Sequence, residues 1–179
     1  MTLSSPSEFR ELFEGERERL HRFLCHLTGN RADAEDLVQE TFLTVWRKRD
    51  QFEGRGSAAG YLRSTAFHLY LNARELKLRR ASLAPEPVET FAPAAEQELE
   101  HEDAVAFLIA RVRAALAALS DESRDAFVLF RFEGLSCAEI SALSGAPVKT
   151  VETRVRRATI ELAERLKPYR DELLRRDPR

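Results

Sequence analysis

The chain has 179 residues, 44% hydrophobic and 32% charged, with a formal net charge of −2. That is enough apolar material for a core, too much charge for a membrane-embedded protein, and a length suited to one medium domain or two small ones. No apolar run approaches the roughly 18 residues of a spanning helix, and Met1 to Arg10 lack the basic-then-apolar order of an export signal, so a cytoplasmic protein without membrane insertion is expected.

Charge is unevenly spread along the chain. Residues 1–80 carry 14 basic and 12 acidic side chains, residues 81–103 none and seven, and residues 104–179 carry 14 and 11. The middle stretch also holds three prolines and little periodic apolar content, which reads as an acidic linker joining two small domains, 1–80 and 104–179. Only seven glycines occur, β-branched alternation is nearly absent, and apolar residues recur at spacings of three and four. The expected fold is all-α.

In the first domain, Ser5-Pro6-Ser7-Glu8 has a capping serine, proline at the first helical position and glutamate at the third. The helix it opens carries Phe9, Leu12, Phe13, Leu20, Phe23, Leu24 and Leu27 on one side. Gly29-Asn30 breaks the chain, and Asn30 caps a second helix whose stripe is Ala34, Leu37, Val38, Thr41, Phe42, Val45 and Trp46. After the loop from Glu53 to Gly56, a third helix is expected to bury Ala58, Leu62, Thr65, Ala66, Leu69, Ala73 and Leu76.

The second domain begins with a helix through Val105, Leu108, Ile109, Val112, Leu116 and Leu119. Ser120 caps another, which stops near Gly134. Ser136 and Glu139 then form a capping box on a short helix, Ser144-Gly145-Ala146 makes a tight turn, and Pro147 stands where a new helix begins. Two short helices about a glycine-containing turn form a helix-turn-helix, whose second helix enters the major groove. On a helical wheel Val148, Val151, Val155, Ala158 and Leu162 point inward. Lys149, Thr153, Arg156 and Arg157 face outward, flanked by Thr150, Glu152 and Arg154. Cations and hydroxyls together suit phosphate positioning and base reading; the plainer alternative is a solvated charged face.

Two other faces are ambiguous from pattern alone. The outer side of the second helix joins Asp36, Gln39 and Glu40 to a stranded Leu43, which fits either a solvent face or a protein-binding one. On the third helix Phe67, Leu71 and Leu78 lie opposite the expected core stripe, among Ser64, His68 and Arg74, with Tyr61, Arg63 and Tyr70 at its border. Aromatics among cations suit single-strand stacking, and the alternative is that Phe67 and Leu71 pack on another helix. His21, Cys25 and His26 lack an evident fourth ligand, so no metal is expected. Cys25 and Cys137, the only cysteines, are too few for a disulfide framework. No nucleophile-base-orienter set or phosphate loop stands out, and neither catalysis nor a cofactor is expected.

The run from Asp33 to Trp46, the Tyr61-Leu62 helix, the acidic linker, Glu133 to Ile140 and Val151 to Ala158 resemble, in that order, a bacterial extracytoplasmic-function sigma factor. The resemblance covers nearly the whole chain and implies a sigma-2-like domain at 1–80, a linker at 81–103 and a sigma-4-like domain at 104–179. It implies a dissociable subunit that takes core RNA polymerase and promoter DNA as partners, and allows an anti-sigma protein. By the same resemblance Asp36, Gln39, Glu40 and Leu43 dock on the polymerase. Tyr61, Arg63, Phe67, His68, Asn72 and Arg74 hold the melted −10 element. Arg131, Lys149, Thr150, Glu152, Thr153, Arg154, Arg156 and Arg157 contact the −35 duplex.

Three departures bear on specificity. Tyr61 replaces a common tryptophan, His68 replaces an asparagine that helps capture a −10 base, and Glu152 stands where a basic residue is common. An acid in the groove accepts from cytosine N4, so a cytosine is expected opposite Glu152. Two other functions remain compatible with the pattern: a sigma-like decoy for an anti-sigma protein, and a dimeric helix-turn-helix repressor. The acidic face together with the cationic helix disfavours the first, and the lack of a heptad seam disfavours the second.

Overall fold

Polar side chains take up the orphan amide donors where most of the helices begin. The computed structural model describes residues 5–49, 57–83 and 104–176, and its regular structure is entirely helical: α1 (Pro6–Thr28), α2 (Arg31–Arg47), α3 (Ala58–Leu83), α4 (Ala104–Ala117), α5 (Asp121–Arg131), α6 (Cys137–Ser144) and α7 (Val148–Arg176). Helices α1–α3 form one unit and α4–α7 another. The Glu53–Gly56 loop and most of the acidic stretch lie outside the described residues, though α3 continues to Leu83, three residues into the expected linker.

Ser5 caps α1 in a capping box with Glu8, whose carboxylate accepts the Ser5 N–H at 3.2 Å. Gly29, at φ 67°, closes the helix in the left-handed conformation that glycine adopts without a Cβ penalty. The next residue starts α2: Asn30 Oδ1 accepts the N–H groups of Ala32 and Asp33 at 2.8 and 3.2 Å. Ser57 opens α3, its hydroxyl accepting the Gly60 N–H at 3.0 Å.

The three helices pack on one another, burying Leu12, Leu20, Phe23, Leu24 and Leu27 of α1 and Ala34, Leu37, Val38, Phe42 and Val45 of α2. Thr41 is buried too, its hydroxyl donating to the Leu37 carbonyl at 2.6 Å. Phe9 sits edge-on to Trp46 with centroids 4.8 Å apart. Phe13, expected in the core, is part-exposed and tilts against Phe42 at 4.7 Å.

The stripe of α3 departs from expectation. Ala58, Leu62, Ala66, Phe67 and Tyr70 are buried, while Thr65, Leu69 and Ala73 are only half-buried and Leu76 is 49% exposed. The buried ridge advances in steps of four, and each step turns it about 40° around the helix. That drift brings in the two aromatic rings, which remove more apolar surface from water than the leucines they displace.

In the second unit Ala115, Leu116 and Leu119 of α4 meet Ala158 and Leu162 of α7, with Val112, Phe127 and Leu166 packed around them. Ile109, expected in this core, is exposed. Near it along α4, Arg111 stacks on Phe107 and on Tyr169 of α7, 4.9 and 5.2 Å from their centroids. Ser120 precedes α5, but its hydroxyl donates to Ser123 Oγ at 2.9 Å and caps no backbone amide. After α5, the Leu135 N–H reaches back six residues to the Leu129 carbonyl at 3.1 Å, past Gly134 at φ 69°, and closes the turn that follows the helix.

Candidate nucleic-acid interface

The helix-turn-helix is built from local signals. Glu139 accepts the Ser136 N–H at 2.8 Å, and Ser136 Oγ accepts the Glu139 N–H at 3.2 Å. Gly145 ends α6 at φ 73°. The turn is Gly145-Ala146-Pro147, one residue later than expected, because Ser144 remains in α6 with its hydroxyl donating to the Ile140 carbonyl at 2.7 Å. Pro147 lies just before α7, its carbonyl accepting the N–H groups of Thr150 and Val151 at 2.9 and 3.1 Å.

Along α7, Val151, Val155, Ala158 and Leu162 are buried as expected. Val148 is not, at 41% exposed: side chains on a helix lean toward its N-terminus, so the first residue points off the end of the core. Lys149, Thr150, Glu152, Thr153, Arg156 and Arg157 are exposed and Arg154 is half-buried, so the face opposite the valines is polar from Lys149 to Arg157, and Ile160, 50% exposed, follows it one turn on. Thr153 Oγ1 donates to the Lys149 carbonyl at 2.8 Å. Arg131 is exposed at the last residue of α5.

On α2, Asp36, Gln39 and Glu40 are exposed together with Leu43 at 52%, an apolar side chain ringed by polar ones. Beside them Arg31 donates to Glu35 at 2.9 Å. That hydrogen bond holds the Glu35 carboxyl below the usual carboxylate range and raises the Arg31 guanidinium. His21 approaches both Cys25 Sγ, at 3.6 Å, and Glu35, at 3.9 Å.

On α3, His68 and Asn72 are exposed and Tyr61, Arg63 and Arg74 half-buried. The His68 Nδ1 atom lies 2.7 Å from the Ser64 carbonyl oxygen. Arg74 donates to the Tyr70 hydroxyl at 3.3 Å. Phe67 is a correction: at 1% exposed it packs inside the domain and offers no surface for a base to stack on. Lys77 had no signal in the sequence. Its Nζ meets Asp33 at 2.6 Å across 44 residues of chain, a distance over which no local pattern reports.

The family description Sigma-70 region 2 matches residues 12–80, and Sigma-70 region 4 matches residues 109–162. SigM, an extracytoplasmic-function RNA polymerase sigma factor of Mycobacterium tuberculosis, is 32% identical over 160 residues, 88% of this chain and 76% of SigM. The chain is an extracytoplasmic-function sigma factor. Such proteins confer promoter-specific transcription initiation on RNA polymerase, and the family is one of DNA-binding regulators.

This sigma factor is also 35% identical to SigE of Mycolicibacterium smegmatis over 164 residues, spanning 90% of the chain and 63% of SigE. Among solved structures, the Bartonella quintana sigma factor RpoE, crystallised with the anti-sigma factor NepR, superposes with a TM-score of 0.65 at 26% identity. That match covers 89% of this chain and 97% of RpoE. Helix α6, the turn and α7 as far as Leu162 fall inside the region 4 match, and the Leu43 face and His68 fall inside the region 2 match. No helix among its described residues is long and apolar enough to cross a membrane.

Proposed function

We propose that the sigma factor grips one promoter at two places while the polymerase supplies the chemistry. Residues 1–80 act as the sigma-2 domain, with Asp36, Gln39, Glu40 and Leu43 docking on core polymerase. A hydrophobic anchor inside a polar rim suits such a contact. On the same domain Tyr61, Arg63, His68, Asn72 and Arg74 hold the melted −10 element, where hydrogen bonds to an extruded base offset its unstacking. Residues 81–103 act as an acidic linker. Residues 104–179 act as the sigma-4 domain, reading the −35 duplex with Arg131, Lys149, Thr150, Glu152, Thr153, Arg154, Arg156 and Arg157, and taking a cytosine opposite Glu152.

The observation that carries this reading is the α7 geometry: a thin buried stripe beneath an outward face that is polar from Lys149 to Arg157, entered through a capped three-residue turn. The protein acts in the cytoplasm and catalyses no reaction itself. An anti-sigma partner, as RpoE has in NepR, is part of the proposal. Run-off transcription with core polymerase on a promoter library tests it. Starts from a narrow set of sequences sharing spaced −35 and −10 motifs are expected, and starts no more specific than core enzyme alone would refute it.

A further inference from the structure

One of the two ring nitrogens of His68 is already engaged. Nδ1 stands 2.7 Å from the Ser64 carbonyl oxygen, one turn back along α3. A carbonyl oxygen only accepts, so the proton in that bond belongs to Nδ1. Neutral imidazole has a single N–H; with it on Nδ1, Nε2 carries a bare lone pair. The side chain is exposed, so this lone pair is what His68 offers to anything that docks on α3. Its backbone is well anchored, since Phe67 beside it is buried. Asn72, also exposed, lies one turn further along the same ridge.

We propose that His68, accepting through Nε2, selects a melted −10 base that carries an exocyclic amine and discriminates against thymine. Cytosine, adenine and guanine each project such an amine from the edge of the ring. Thymine has none: its one donor, N3–H, is recessed between O2 and O4, whose lone pairs face that of Nε2. This is a one-sided reader, unlike an asparagine, whose amide both donates and accepts. The inference rests on the −10 reading of α3 proposed above.

The test uses holoenzyme assembled from core polymerase and the full chain, acting on promoters randomised through the −10 element. At about pH 8 histidine side chains are ordinarily neutral. The parent should deplete thymine about fivefold at one position, the scale of a single hydrogen bond, and His68→Asn and His68→Gln should both restore it there. Nitrogen-15 NMR of the full chain should find the His68 proton on Nδ1. A proton on Nε2, or thymine depletion unchanged in both variants, overturns the acceptor role while leaving the two-site reading intact. Absence of any promoter-specific start by the parent overturns both.

Discussion

Helices α3 and α7 both present reading faces to DNA in the proposed function, yet they divide their side chains in opposite ways. In α7, between Lys149 and Arg157, the buried and outward residues are separate sets: valines go in, and cations, hydroxyls and Glu152 stay out. In α3 the sets interlock. Phe67 and Tyr70 are core residues beside His68 and Arg74, and Arg74 donates to the Tyr70 hydroxyl. Duplex reading needs long side chains that reach phosphates and groove edges, which a bundle displays without surrendering core. Reading an extruded base needs a short group held still, and stillness comes from packing.

Substitutions therefore separate the two helices. The largest effect is expected at Phe67: Phe67→Ala leaves a ring-sized cavity and should cost about 3–5 kcal/mol, while Leu76→Ala on the same helix should stay within about 0.5 kcal/mol because Leu76 is already half in water. Urea unfolding of the full chain measures both, and equal losses would erase the distinction drawn between the two stripes of α3.

A smaller effect, and one of the opposite kind, is expected on α7. Replacing Arg156 and Arg157 together by alanine should leave stability nearly untouched and weaken binding to a −35 duplex by about tenfold at moderate salt. The slope of log affinity against log salt should fall by about 2, since each lost phosphate contact contributes roughly 0.9. Fluorescence anisotropy across a salt series measures this, and an unchanged slope would mean that neither guanidinium meets a phosphate. The smallest effect belongs to Lys77→Met, which removes the Asp33 pair. Lys77 is well exposed and the Asp33 side chain 36% exposed, so the loss should be no more than about 1 kcal/mol and should shrink in high salt.

These contrasts also mark what the sequence discloses. The caps at Ser5, Asn30 and Ser136 are legible because each joins residues within three of one another and draws on one helix alone. The α7 stripe is legible because from Lys149 to Arg157 only one face is apolar. The α3 stripe is not: apolar residues lie on more than one side of that helix, and the choice among them is made by α1 and α2. Ile109 is exposed because the core that α4 shares with α7 begins at Val112, an end that a repeat of three and four does not mark. Val148 fails because a wheel has no ends and a helix does. Phe67 lies opposite a core stripe that the fold does not use, and so it is buried where the pattern places it on the surface.

The inward edge of α7 packs with α4, α5 and α6, while its outward residues contribute little to holding the domain together. On the proposed reading, after a gene duplication a few codon changes on that outer edge would be enough to send the copy to a different set of operons, with the scaffold inherited unchanged.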